Sequence, residues 1–215
     1  MFNNENKTIL LTGCAGFIGS NFVPYFLDKY QEYNIVNLDL LTYAGDLENL
    51  KECESNSQYK FIKGDICNRD LVEFIFTEYD IHGVIHFAAE SHVDNSIANP
   101  VEFAETNVMG TLKVFEACRK MNSVKAIVNI TSDKAYENQE WIWGYRENDP
   151  MGGYDPYSSS KGCAELLVSS YRNSYFNLHD YGSKHNTLLA SCRAGNVIGG
   201  GDWAQDRLIT DIMLA

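Results

Sequence analysis

Basic residues are scarce in this 215-residue chain: 17 Lys and Arg stand against 29 Asp and Glu, for a formal charge of −12. No basic cluster interrupts that deficit, which argues against a nucleic-acid surface. It also leaves any phosphorylated ligand to be held by local donors against a repelling overall field. No apolar run is long enough to span a membrane and nothing resembles a signal peptide, so no membrane partner is expected and the expected compartment is cytoplasmic. The six cysteines (Cys14, Cys53, Cys67, Cys118, Cys163, Cys192) include no C-x-x-C pair and no metal-like spacing. They read as buried small hydrophobes of a reducing compartment, and no metal is expected. Repeats, low-complexity tracts and flexible linkers are lacking too. What remains is an ordinary globular composition, 45% hydrophobic and 21% charged, with length enough for one sizeable domain.

The most informative stretch is Thr8–Asn21. Strand-forming residues 8–12 run into Gly13, Gly16 and Gly19, and an apolar segment in helical phase follows. A strand, a tight turn and a helix N-terminus in that order make a pyrophosphate cradle, although close strand-to-helix packing alone would also select glycine. Context favours the cradle, which takes in Phe17 and Ile18. Residues 33–38 read as a second buried strand, and Asp39 stands at its end, 20 residues after Gly19. An acid there accepts from the adenosine ribose hydroxyls and disfavours a 2′-phosphate, so the expected cofactor is NAD rather than NADP.

Strand-like and helix-like segments alternate from the start. The expected fold class is therefore α/β, a doubly wound parallel sheet of Rossmann type. After a short helix near 46–53, a third strand at 59–63 leads to Asp65 and Ile66. Asp65 either contacts the adenine amino group or caps the helix that begins near Arg69. The fourth strand, 83–87, delivers the small residues Ala88 and Ala89 to the sheet's carboxyl edge, where a dinucleotide can lie close. His86 and His92 read as polar residues closing a strand rather than as metal ligands. A helix from about Pro100 to Met121 places Val101, Ala104, Val108, Leu112, Phe115 and Cys118 on one apolar stripe. Strand five, 126–130, carries Thr131, Ser132, Asp133 and Lys134 to the same edge. An aromatic, Gly-rich loop over 138–156 follows, of a kind that usually covers or binds a ligand. The next helix opens at Tyr157, and strand six spans about 187–192. Pro24 falls inside the first helix, where it is expected to kink the axis.

Tyr157 and Lys161 are spaced Y-x-x-x-K, which puts both on one helical face. A nearby ammonium favours the phenolate and makes the tyrosine a usable base. Together these features make the chain resemble the extended short-chain dehydrogenases/reductases, and within them the nucleotide-sugar 4,6-dehydratases. From Leu11 to about Ala117 it resembles the dTDP-glucose branch, through Thr42-Tyr43-Ala44-Gly45 and Ala88-Ala89-Glu90-Ser91-His92-Val93-Asp94. From Thr131 onward it resembles the CDP-glucose branch, through Thr131-Ser132-Asp133-Lys134, Asp149–Tyr157 and Asn196–Trp203. The dTDP enzymes typically carry Thr-Asp-Glu where this chain has Ser132-Asp133-Lys134, so CDP-glucose is the favoured substrate.

The resemblance implies specific roles. Tyr157 takes the sugar 4-hydroxyl proton while Ser132 hydrogen-bonds it, and Asp133, if protonated, is the acid for the departing 6-hydroxyl. Lys134 is a base at C5 if neutral, or else an ion-pair partner of Asp133. Lys161 holds the nicotinamide ribose, and Asn107 supports the active site. Ser91, Asn196 and Arg207 approach the nucleotide sugar, while a solvated helix face explains Arg207 equally well. A homodimer through the helices at 100–121 and 157–176 is also implied. Residues 1–195 are expected to form the NAD-binding domain. Residues 196–215 begin a substrate region that the relatives continue further. Two alternatives follow: a catalytically silent NAD-binding protein, or a nucleotide-sugar 4-epimerase. Asp133 weighs against the epimerase.

Overall fold

The computed structural model describes residues 2, 5–202 and 208–215. Six strands form one parallel sheet: β1 (Lys7–Thr12), β2 (Tyr33–Asp39), β3 (Tyr59–Lys63), β4 (Ile81–His86), β5 (Ala126–Ser132) and β6 (Leu188–Ala194). Their order is β3-β2-β1-β4-β5-β6, with every neighbouring pair parallel. The crossovers carry α1 (Phe17–Lys29), α2 (Arg69–Glu78), α3 (Val93–Ala98), α4 (Pro100–Ala104), α5 (Thr111–Lys120) and α6 (Pro156–Ser174), and α7 (Leu208–Leu214) follows β6. This is the doubly wound Rossmann-like fold expected from the alternation.

Successive side chains on a strand face opposite ways, and here both faces are covered. Leu10, Val36 and Leu38 pack with Val72 and Phe76 of α2, Val114 and Phe115 of α5, and Val168 of α6. Leu11 and Ile35 point the other way, onto Val23 and Leu27 of α1 and onto Leu50 and Cys53 of the 3₁₀ helix Leu47–Cys53. The strand order runs outward from β1 in one direction and from β4 in the other. The loops after these two strands therefore diverge and open a crevice at the sheet's carboxyl edge.

Three expectations change. The helix expected over 100–121 contains a π-helical turn, Glu105–Gly110, between α4 and α5. That turn takes up extra residues and shifts the phase, so Phe103, Asn107, Gly110, Thr111, Val114 and Cys118 face inward. Val101 and Ala104 of the expected stripe are exposed. Cys192 is exposed because β6 lies at the sheet edge, and Cys67, in the loop before α2, and Cys163, on α6, are only partly buried. Asn68, not Asp65, caps α2, its side chain accepting from the Leu71 N–H. Pro24 lies inside α1, as expected. Arg207 lies outside the described residues.

Candidate active site

The crevice between β1 and β4 is a cleft of about 1000 Å³. On its cofactor side the chain turns tightly out of β1. Gly13 has φ +72°, and a Cβ built on it would lie 2.4 Å from Ala88 Cα. A Cβ on Gly19 would lie 2.4 Å from Cys14 Cα, so the helix can approach the strand only with glycine there. Gly16 opens α1 with no side-chain cap and no acidic residue in the first turn. Gly16, Phe17, Ile18 and Gly19 line the cleft, placing the helix N-terminus and its backbone donors where an anion would sit.

Asp39, at the end of β2, is buried and lines the same cleft. Its Oδ2 accepts from the Ala15 N–H (2.8 Å) and its Oδ1 from the Leu41 N–H (2.8 Å), so the carboxylate also ties the glycine turn to the β2 loop. Each oxygen keeps acceptor capacity for a hydroxyl. Asp65 Oδ1 accepts from the Cys67 N–H at 2.7 Å, and Asp65, Ile66, Ala88 and Ala89 line the cleft beside it.

The opposite wall carries the candidate catalytic residues. Asp155 caps α6, accepting from the Ser158 N–H (2.8 Å) and hydroxyl (2.6 Å), and Pro156 occupies the first helical turn. One turn apart, Tyr157 and Lys161 then face the cleft, with the Tyr157 ring edge-on to Phe103. Lys161 is buried, and that burial lowers its pKa to about 8 despite the opposing influence of Glu165. It is therefore largely cationic at neutral pH. Ser132, Asp133 and Lys134 reach the cleft from the end of β5. The Ser132 hydroxyl donates to Asp133 Oδ1 at 3.1 Å and accepts from the Lys134 N–H at 3.2 Å. Lys134 is exposed and forms no ion pair with Asp133. Ser91 and Asn196 line the cleft as well.

Asn107 is not on the cleft wall. From the π-helical turn its side chain accepts from the Glu90 N–H (2.9 Å) and donates to the Glu90 carbonyl (2.9 Å) and to Ser160 Oγ (2.8 Å). It pins the loop after β4 to α6, between Tyr157 and Lys161. His86 is likewise behind the wall, with Nδ1 against Thr12 Oγ1 (2.6 Å) and Nε2 against Thr111 Oγ1 (3.1 Å). Burial, followed by the charge of Lys161, pushes its pKa down to about 3, so it stays neutral. Thr12 Oγ1 also accepts from the Ala88 N–H at 3.2 Å. No local sequence signal marks this Thr12–His86–Thr111 link, because its members come from three separate elements. The loop over 138–156 contributes no residue to the cleft lining; it stacks on itself beside β6.

Among the described residues no cluster of His, Cys, Asp and Glu could hold a metal, and no helix is long and apolar enough to cross a membrane.

Residues 10–181 match the family profile described as GDP-mannose 4,6 dehydratase. A CDP-glucose 4,6-dehydratase from Salmonella typhimurium is 46% identical over 209 residues, covering 97% of this chain and 57% of the relative. Among solved structures, a dTDP-glucose 4,6-dehydratase from Bacillus anthracis in complex with NAD superposes with a TM-score of 0.71 at 39% identity, over 79% of this chain and 52% of that one. The dTDP-glucose 4,6-dehydratase DesIV from Streptomyces venezuelae, with NAD and TYD bound, gives a TM-score of 0.73 at 34% identity, over 79% and 52%. The chain thus spans little more than half the length of these relatives. It belongs to the GDP-mannose 4,6 dehydratase family, within the nucleotide-sugar branch of the extended short-chain dehydrogenases/reductases.

Proposed function

We propose that this chain is the NAD-dependent part of a nucleotide-sugar 4,6-dehydratase that converts a nucleoside-diphosphate glucose to its 4-keto-6-deoxy product. The observation that carries the reading is one cleft with two walls. The glycine turn and Asp39 form one wall; Tyr157, Lys161, Ser132 and Asp133 form the other.

The residues fit a dinucleotide. A helix N-terminus without a capping side chain, glycines where a Cβ would strike backbone, and a buried acid at the ribose position make a site for NAD. When bound, NAD supplies a hydride acceptor and donor. The chain's residues manage the protons. Lys161, cationic below about pH 8, lowers the cost of the Tyr157 phenolate, which then takes the 4-hydroxyl proton. Ser132 holds that hydroxyl in place. Oxidation at C4 acidifies the C5 proton, and water leaves across C5 and C6. Asp133 in its protonated form donates to the departing 6-hydroxyl, and Lys134 beside it takes the C5 proton only in its neutral form.

The Ser132-Asp133-Lys134 run and the 46% identity to a CDP-glucose enzyme support CDP-glucose as substrate. Ser91 and Asn196, which line the cleft, are the residues proposed to meet the sugar nucleotide. The proposal includes a cytoplasmic enzyme and a dimer. Val101 on α4, Met109 in the π-helical turn and Leu166 on α6 leave apolar side chains 67%, 45% and 60% exposed, which supports pairing through these helices. Sedimentation velocity of the purified protein tests the dimer. For the activity, CDP-glucose and dTDP-glucose are incubated separately with protein and NAD⁺ and analysed by mass spectrometry. Loss of one water from CDP-glucose is expected. An intact mass with the sugar epimerised would replace the reading with an epimerase.

A further inference from the structure

Beneath the Ser132 end of β5 lies a buried polar cluster that the mechanism above does not use. Glu165 sits one turn beyond Lys161 on α6 and is 5% exposed. Its Oε1 accepts from the Thr131 hydroxyl, next to Ser132 in the chain. Its Oε2 accepts from Ser191 Oγ at 2.8 Å and from an Arg193 guanidinium nitrogen at 3.0 Å. One carboxylate therefore joins α6, β5 and β6. Burial works against its charge, but hydrogen bonds from Arg193, Thr131 and Ser191 outweigh that and hold its pKa below the usual value.

Arg193 extends the cluster outward. Its other terminal nitrogen donates to Tyr136 Oη (2.7 Å) and to the Glu147 carbonyl (2.8 Å). The guanidinium also lies 4.9 Å from the centre of the Tyr136 ring. Tyr136 stacks on Tyr145 at 5.0 Å, Tyr145 packs on Trp141 at 5.3 Å, and Trp141 stacks on Trp143 at 5.5 Å. Two backbone bonds then close the loop onto the strand end: Glu137 N–H to the Pro150 carbonyl and Gly152 N–H to the Ala135 carbonyl, each 2.9 Å. An unbroken chain of contacts thus runs from the catalytic helix to the exposed tip of the aromatic loop.

We propose that Glu165 and Arg193 are positioning residues, a clamp with a buried anion and a partly buried cation that registers the Ser132–Asp133 strand end against the Tyr157–Lys161 helix and anchors the aromatic loop beside them. Neither residue lines the cleft. The clamp needs a fixed anion to gather three donors and a planar, forked cation to reach three partners in different directions. Lysine keeps the charge but offers neither the fork nor the flat face for Tyr136.

The catalytic part of this claim rests on the dehydratase reading; the structural part does not, and the test separates them. Glu165→Gln, Arg193→Met and Arg193→Lys are compared with wild type by hydrogen exchange and by steady-state kinetics with NAD⁺ and CDP-glucose. The expected result is exchange at the Glu137 and Gly152 amides about tenfold faster in all three variants, with β1 and β2 amides unchanged. In the same variants kcat falls about 10- to 100-fold, while the sugar KM and the NAD⁺ Kd stay within about twofold. Unchanged exchange at Glu137 and Gly152 overturns the clamp. Faster exchange with unchanged kcat overturns its positioning role. Acceleration across the whole sheet, even in Arg193→Lys, reduces the cluster to general stability and also overturns it. A wild-type protein that dehydrates no sugar refutes the dehydratase reading instead, and the exchange arm still decides the clamp.

Discussion

Gly13→Ala probes the point where the cleft is built. At φ +72° a residue with a Cβ occupies left-handed backbone, which costs roughly 1–2 kcal/mol. The added methyl would also sit 2.4 Å from Ala88 Cα and 2.5 Å from Ala88 N, both backbone atoms with no flexible end to swing aside. Parting β1 from the loop after β4 adds the usual overpacking cost of about 1–3 kcal/mol. The sum is about 2–5 kcal/mol, a fall in Tm of roughly 4–20 °C for a chain of this size. Gly16→Ala is the control: its nearest neighbour is Gly13 O at 3.4 Å, an ordinary contact, and the cost is under about 1 kcal/mol. Thermal and urea unfolding of both variants, with NAD⁺ affinity by calorimetry, measures the contrast. If Gly13→Ala unfolds within 1 °C of wild type, the close approach of the two loops is not what selects glycine there, and the reasoning fails.

Removing Tyr157 (to Phe) or Lys161 (to Met) is expected to cut kcat by about 10²–10⁴-fold without unfolding the protein. Wild-type activity is expected to fall as pH rises past about 8, where the buried Lys161 loses the charge that favours the Tyr157 phenolate; a flat profile to pH 10 contradicts that role. His86 has a folded pKa of about 3 against its ordinary 6.5, so the unfolded chain binds the extra proton between those values. Its stabilising contribution is full above pH 6.5 and drains away as pH falls toward 3, on the order of 5 kcal/mol in total. Urea unfolding at pH 7 and pH 4.5 tests this: wild type should lose more stability than His86→Asn, and equal losses would refute it.

The strands were readable to within one or two residues because apolar runs between polar turns leave little choice of register. Asp39 and the glycine triplet are legible because a dinucleotide site sets glycines at the pyrophosphate turn and an acid about 20 residues on, at the ribose. The helix at 100–121 was misphased upstream because a π-helical turn at Glu105–Gly110 breaks the 3.6-residue period, and nothing local announces it. Counting back from Cys118 and Phe115 lands on Ala104 and Val101, while the residue that turns inward is Phe103. Asn107 was found through family resemblance, but that resemblance did not say that it grips Glu90 and Ser160 from behind the wall. Thr12, His86, Thr111 and the Glu165–Arg193 pair stayed hidden because their partners lie 25 to 74 residues away in sequence.

If this chain is a 4,6-dehydratase as proposed, hydride leaves C4 and returns to C6 of the same sugar. CDP-glucose carrying deuterium at C4, incubated with the protein and NAD⁺, tests it most directly. The account predicts a product lighter by one water that retains the deuterium, now at C6 by NMR. Loss of the label to solvent, or recovery of the sugar with deuterium still at C4 while NAD⁺ remains bound, would contradict it.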